Sequence, residues 1–331
     1  MVYDPEDPRQ FDGGKIKIAA IGGGTGLANL LRGLKKYSNE ISAIVAVTDD
    51  GSSSGEIRRE FDILPPGDIR KCISALANDE KMVSEILEYR FEKKKNGTLS
   101  NHTLGNIWIT ALTKYFGSFE KALEATTALF ETSGKILPVT LDNIRLGAKY
   151  EDGTKKMGES EISLVGKRIK EVFLNKDRVL AYQKAKDAIA DADLIVVGPG
   201  SLYTSVIPNF LVKGIRDVVK ENKNALKIYV VNCSTEKGET EKYTVLDHLN
   251  ALEKHAGKNI VDVCLVNDKI IKKAEKNALP DEIDNITASD NVFPSCEIAT
   301  DDLVDEKNPL YHDKDKLAKS LIKLYNRIKR R

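Results

Sequence analysis

Five residues, Gly22-Gly23-Gly24-Thr25-Gly26, stand between an apolar run and a helical leucine pattern. Glycines at such a junction let backbone N–H groups approach phosphate oxygens without a side chain in the way, and the start of the following helix favours negative charge. The stretch is not a Walker A loop, because Leu27-Ala28 stands where Gly-Lys-Ser/Thr would follow. It fits a dinucleotide fingerprint only in part, with Leu27 in place of the third glycine, so an NAD(P) ligand is the weakest of the readings. A second strand-like run ends in Thr48-Asp49-Asp50-Gly51-Ser52-Ser53-Ser54-Gly55. There an acid could bond a ribose or hold a divalent cation against phosphate, and Ser52 and Ser53 could donate hydroxyls to the same anion.

Pro65-Pro66-Gly67-Asp68-Ile69-Arg70 opens a third candidate. Asp68 reads either as a helix N-cap or as a metal ligand, and Arg70 as a bidentate phosphate clamp. His102, in Asn101-His102-Thr103-Leu104-Gly105-Asn106, could donate to phosphate, act as acid or base, or serve as a capping or core histidine. Gly198-Pro199-Gly200-Ser201 repeats the arrangement of the first loop after another strand, and two such loops can face one cleft. Ser201 lacks the G-x-S-x-G frame of a nucleophile elbow, and no H-E-x-x-H zinc motif occurs. Cys233 follows a strand near the presumed edge, although small buried cysteines are common.

Taken together and in order, Gly22 to Gly26, Asp49-Asp50-Gly51-Ser52, Pro65 to Arg70 and Gly198-Pro199-Gly200-Ser201-Leu202-Tyr203-Thr204-Ser205 resemble the bacterial gluconeogenesis factor family, a relative of 2-phospho-L-lactate transferase. The resemblance runs from about Lys15 through Tyr311-His312-Asp313. It implies a Rossmann-like core with a cleft for a nucleotide diphosphate or a nucleotide sugar such as UDP-N-acetylglucosamine. It also implies a cytoplasmic role in central carbon metabolism, cell-wall precursor supply and cell shape under gluconeogenic growth. In the transferase relatives the acids matching Asp50 and Asp68 hold a divalent metal, here magnesium, and the matching glycine loops take phosphate. The residue reading and the resemblance together gather Gly22, Gly23, Gly24, Thr25, Gly26, Asp49, Ser52, Ser53, Arg70, His102, Asn106, Gly198, Pro199, Gly200, Ser201 and Thr204 as expected contacts of a phosphorylated ligand. A regulator that binds without turnover and a transferase of a phosphorylated three-carbon unit both fit. Two stretches depart from the family pattern. Asn232 to Thr240 reads Asn-Cys-Ser-Thr-Glu-Lys-Gly-Glu-Thr where the family usually has Asn-x-Met-Thr-Gln-Pro-Gly-Glu-Thr, and Asn101 stands where glycine is expected.

These residues need a frame. Ile16 to Ile21 reads as a strand buried on both faces, Leu27, Leu30, Leu31 and Leu34 recur at helical spacing, and Ile44 to Val47 is a second strand. A β-loop-α-β unit of this kind makes the two strands parallel. Helical periods follow from Ala75 to Phe116, broken by a charged stretch at 93–97, and a helix fits Ser118 to Ser133 with Ser118 as N-cap. Short β-like runs around an Asp152-Gly153 turn suggest a small, mostly β insertion. The doubly wound pattern returns at Leu194 to Val197, Lys227 to Val231 and Ile260 to Val266, with a helix at Tyr243 to Glu253 and an amphipathic helix from Lys314 to Arg331. The expectation is an α/β fold with a doubly wound, mostly parallel sheet: an extension over 1–14, core over 15–135, a β insertion over 136–178, and core with a docked C-terminal helix over 179–331.

Composition bounds the rest. In 331 residues, 51 Lys and Arg face 50 Asp and Glu, so no whole-chain field gathers nucleic acid or anionic lipid. The four cysteines form no C-x-x-C pair, which argues against zinc, iron or a disulfide framework and for a reducing cytoplasm. No stretch nears the ~18 apolar residues of a membrane helix. A homo-oligomer is compatible with all of this.

Overall fold

A computed structural model describes residues 16–92, 99–270, 283–288 and 295–329. Among them, ten strands and twelve α-helices follow one another, with short 3-10 and π turns at Ser163–Val165 and Leu202–Val206. The order is β1 (Ile18–Gly22), α1 (Gly24–Leu34), β2 (Ile41–Val45), α2 (Ser52–Phe61), α3 (Gly67–Leu76), α4 (Glu80–Glu88), α5 (Leu104–Phe116) and α6 (Phe119–Leu129). Next come β3 (Gly134–Pro138), β4 (Leu146–Tyr150), β5 (Lys155–Met157), α7 (Glu159–Ile162), β6 (Ile169–Leu174), α8 (Gln183–Ala190) and β7 (Leu194–Val197). The last are α9 (Ile207–Leu211), α10 (Ile215–Glu221), β8 (Leu226–Val230), α11 (Val245–Ala256), β9 (Val263–Asn267), β10 (Glu297–Asp301) and α12 (Lys314–Lys329).

Seven of the strands form one sheet in the order β10-β9-β8-β7-β1-β2-β3, and every neighbouring pair is parallel. Helices cover it, which is why β1, β2, β7, β8 and β9 are almost wholly buried and read as continuous apolar runs. The chain winds outward from β1 to β3 on one side, then returns to place β7 on the other side of β1. Strand order therefore reverses between β1 and β7, where open α/β sheets leave a crevice at the carboxyl ends of their strands. The fold is the expected Rossmann-like, mostly parallel α/β sheet.

Three expectations about boundaries change. β3 pairs with β2 from Gly134↔Ile41 to Pro138↔Val45, so the residues from Ile136 complete the main sheet rather than open the insertion. The insertion proper is the antiparallel sheet β5-β4-β6, with the turn at Asp152-Gly153 where Gly153 takes φ +87°. The strand-like run does not continue through the serines, since Ser52 and Ser53 form the first turn of α2 behind Gly51. The charged stretch at 93–97 lies outside the described residues. No helix among them is long and apolar enough to cross a membrane.

The C-terminal helix docks on α1, burying Leu317, Leu321 and Leu324. Its contact with α1 is backbone-close at Gly33, where an added Cβ would lie 2.1 Å from the Lys314 carbonyl oxygen and 2.7 Å from Ala318 Cβ. Gly33→Ala must push the two helices apart and is expected to cost about 1–3 kcal/mol. Urea unfolding followed by circular dichroism checks this; an unchanged midpoint would show that α12 is not packed as described.

Candidate functional site

The loops after β1 and β7 meet at the crevice. Gly26 is so close to the second loop that a Cβ there would sit 2.7 Å from the Pro199 carbonyl oxygen, and a Cβ on Gly200 would sit 3.3 Å from the Gly23 oxygen. Glycine is required for this approach, and Gly24 and Gly200 also hold φ of +65° and +150°. A cleft of about 310 Å³ lies over them, lined by Gly23 to Gly26, Asp49, Asp68, Lys71, Glu159, Pro199 to Ser201, Ser205, Asn232, Glu236 and His312 among others.

Helix α1 begins at Gly24 with no side chain of its own capping it. Its N–H groups look instead to Asp68, whose Oδ2 accepts from the Gly24 N–H at 2.7 Å. Asp68 is not the N-cap of its own helix, because α3 starts behind Pro66 and the Asp68 carboxylate reaches across to α1. Its other oxygen accepts from Lys71 Nζ at 2.9 Å, an i,i+3 pair on one helix face. Burial works against the charge of Lys71, but Asp68 outweighs it and raises the lysine pKa.

Carboxylates crowd this point. Asp49 accepts from the Gly51 N–H at 3.0 Å, and burial followed by the charge of Asp68 pushes its carboxyl pKa up. Glu159, at the start of α7 in the insertion, accepts from Thr48 Oγ1 at 2.6 Å. Burial, then Asp49 and Asp68, push its pKa well above the usual carboxylate range. On the other wall, Asn232 Nδ2 donates to Gly200 O at 3.0 Å and to Glu236 Oε1 at 3.2 Å. Burial raises Glu236, and burial together with Glu236 pushes Glu239 up to about 8. Lys71 is the one lysine or arginine among the described residues that line this cleft.

The expected site residues divide into three groups. Gly23, Gly24, Thr25, Gly26, Asp49, Asp68, Pro199, Gly200 and Ser201 line the cleft, with Gly22 ending β1 and Gly198 directly following β7 beneath. Thr204 faces the neighbouring loop, where its hydroxyl donates to Glu239 Oε1 at 2.8 Å. Ser53, Arg70, His102 and Asn106 form a separate buried network among α2, α3 and α5. In it Asn106 Nδ2 donates to Ser53 Oγ at 3.0 Å, Ser53 bonds His102 Nδ1 at 2.9 Å, and Arg70 Nε donates to Asn106 Oδ1 at 3.0 Å. Arg70 also pairs with Glu88 of α4, so its guanidinium is spent between helices rather than aimed at the cleft. Ser52 is exposed.

Asp50 does not join Asp68. Successive residues of an extended segment point to opposite sides, so Asp49 turns to the cleft and Asp50 away from it. Asp50 Oδ1 accepts from the Ser160 N–H at 3.0 Å and from Ser160 Oγ at 2.9 Å, and Arg145 approaches its other oxygen at 3.7 Å. It latches the insertion to the core and thereby sets Glu159 in place. Sequence reasoning missed Glu159, Lys71 and Glu236. The Asp68–Lys71 spacing was a visible signal for Lys71; nothing in the sequence pointed to Glu159 before the insertion was docked.

A larger hollow of about 710 Å³ opens at the amino ends of β1, β2 and β3, between α6 and α8. Neither glycine turn reaches it, and its carboxylates Glu120, Glu124 and Asp191 are paired with lysines. Lys184 there pairs with Glu120 and Glu124, each at 2.7 Å, and Lys17 with Asp191 at 2.9 Å.

Comparison with known proteins shows what the chain and its fold are similar to. Residues 18–304 match the family described as 2-phospho-L-lactate transferase CofD. The gluconeogenesis factor of Bacillus subtilis is 42% identical over 320 residues, covering 94% of this chain and 99% of that one. A relative in Clostridium acetobutylicum is 45% identical over 264 residues, and the match spans 58% of that protein's length. A crystal structure of a Bacillus halodurans protein superposes with a TM-score of 0.86 at 37% identity, covering 93% of this chain and 99% of that chain.

His312 gives the cleft wall a pH dependence. Its Nε2 bonds the Val231 carbonyl oxygen at 3.1 Å, and burial lowers its pKa to about 4. The folded chain holds it neutral while the unfolded chain protonates near 6.5, so this contribution is complete above about pH 6.5 and is lost as pH falls toward 4. The loss should approach about 3 kcal/mol by pH 4, on the scale of ~1.4 kcal/mol for each pH unit. In denaturant titrations at several pH values, His312→Gln should flatten the slope between pH 6.5 and 4; an identical slope would refute the assignment.

Proposed function

The chain belongs to the 2-phospho-L-lactate transferase CofD family, together with relatives named gluconeogenesis factor, and on that premise we propose that its cleft binds the diphosphate of a nucleotide sugar of the UDP-N-acetylglucosamine type. The observation that carries the reading is the Asp68 carboxylate on the Gly24 N–H at the amino end of α1, where an anion is favoured. A bare diphosphate approaching that point would meet Asp49, Asp68, Glu159 and Glu236 with Lys71 as the single opposing cationic side chain. Like charges held this close, in a partly buried cleft, repel more strongly than they would in water.

A divalent cation reconciles the two. Asp49 and Asp68 offer carboxylate oxygens, a hard donor set suited to magnesium, which is usually held by one or two carboxylates plus substrate phosphates and water. No group of three or more His, Cys, Asp or Glu among the described residues is arranged as a complete metal site. When bound, magnesium would neutralise charge between the carboxylates and the diphosphate. The chain's own residues do the rest: the glycine turns let a phosphate approach the backbone with no side chain in the way, Lys71 keeps Asp68 oriented, and Asn232 holds the second turn through both its amide atoms. Such a binder would report nucleotide-sugar supply to the carbon economy that the relatives' name denotes, acting in the cytoplasm on cell-wall precursor supply and cell shape. A transferase reading rests on the same paired Asp49 and Asp68, since a cation there would also stabilise charge on a departing phosphate.

Calorimetry with UDP-N-acetylglucosamine should show binding that weakens at least about tenfold when magnesium is replaced by a chelator, roughly 1.4 kcal/mol. Asp68→Asn should abolish most of that magnesium dependence. Absence of binding by the folded chain with magnesium present would reject the reading. Turnover of a nucleotide-linked three-carbon donor, lost in Asp49→Asn, would favour the transferase; binding without turnover across acceptors favours the regulator.

A further inference from the structure

We propose that Cys264 and Cys296 are a peroxide-sensitive dithiol that closes to a disulfide at the edge of the main sheet. Thirty-two residues separate them, yet their Sγ atoms lie 3.3 Å apart, against ~2.05 Å in a disulfide bond. Ile298 of β10 pairs with Cys264 of β9, and residues two apart share a sheet face, so Cys296 is the diagonal neighbour of Cys264 on one face. The chain bends at Cys296 as it enters β10, which brings its sulfur back toward β9. Closing the bond asks for side-chain rotation and a short approach, with the sheet register kept.

The two thiols differ in a way that divides the chemistry. Cys264 is buried and Cys296 is partly exposed, so peroxide reaches Cys296 first. The hydrogen bond from the Cys264 thiol lowers the Cys296 pKa, with burial and Glu253 opposing. The same bond, and then burial, push Cys264 up. The remaining thiols, Cys72 and Cys233, are buried, and burial pushes both up, so they stay protonated and shielded.

The steps balance with a hydroperoxide as the oxidant. The Cys296 thiolate attacks one peroxide oxygen, the O–O bond breaks, and the sulfenic acid forms while the departing oxygen takes up a proton. Cys264 then loses its proton and attacks the sulfenic sulfur; the S–O bond breaks and the oxygen leaves as water. With hydrogen peroxide, two thiols become one disulfide and two waters form.

The crosslink would tie β10 to β9 and enclose the chain between them, including Asp284 and Ile286. Asp284 O accepts from the Thr235 N–H at 2.9 Å and Ile286 N–H donates to Cys233 O at 2.9 Å, next in sequence to Asn232 and Glu236 of the cleft. The device does not depend on what the cleft binds.

The full chain is treated with hydrogen peroxide, alkylated with iodoacetamide, digested and mapped by mass spectrometry. The expected product is a Cys264–Cys296 linked peptide lighter by two hydrogens, reversed by dithiothreitol, with Cys72 and Cys233 alkylated only after denaturation. Cys264→Ser should leave Cys296 as a sulfenic acid trapped by dimedone, and Cys296→Ser should abolish the oxidation. The oxidised chain should melt several degrees above the reduced one, because a closed loop restricts the unfolded state. Both thiols still open to alkylation after peroxide, Cys296 over-oxidised without a crosslink, or a crosslink formed only in denaturant would each overturn the proposal. Should a serine variant fail to fold, the map of the native chain decides alone.

Discussion

The Asp68 carboxylate bonded to the Gly24 N–H is the contact around which the cleft is organised. It places a negative group at the positive end of α1, at the point where the strand order reverses and two glycine turns touch. An anion site already holding an acid, with Asp49 and Glu159 beside it, is not a simple phosphate cradle. Burial first, and then the neighbouring carboxylates, raise the pKa of Asp49 and Glu159, and in the proposed reading a cation between carboxylate and phosphate would relieve that strain. Such electrostatic tension is what functional sites hold and structural cores avoid.

The surrounding parts hold this arrangement in register. Asp50 bonds Ser160 and so carries Glu159 from the insertion to the cleft. Behind the acids, the network of Ser53, His102, Asn106 and Arg70 joins α2, α3 and α5, fixing the helix from which Asp68 projects. Fully paired polar groups of this kind specify one packing more narrowly than apolar contacts do. The second glycine turn is braced by Asn232 in the same way.

Much of this was legible in the amino-acid sequence because it is written locally. A glycine run between a buried strand and a leucine-spaced helix has few other meanings, and both such runs do meet over one cleft. The choice between Asp49 and Asp50 was not local. It depends on which face of the extended segment turns to the crevice, and the family pattern pointed to the acid that instead docks the insertion. Arg70 and His102 misled for a related reason, since residue types suited to phosphate are equally suited to satisfying buried amides and hydroxyls. Edge strand β10 escaped notice because Glu297-Ile298-Ala299-Thr300-Asp301 is short, charged at both ends and holds only two apolar residues, and with it went the meeting of Cys264 and Cys296.

A crystal structure with UDP-N-acetylglucosamine and manganese in place of magnesium tests the central claim most directly, because manganese is visible by its anomalous scattering. The account requires one anomalous peak bonded to Asp68 and Asp49 oxygens and to the diphosphate, with the phosphates resting on the turns at Gly24 and Gly200. A diphosphate bound without metal at that point, or seated in the hollow between α6 and α8, would contradict it.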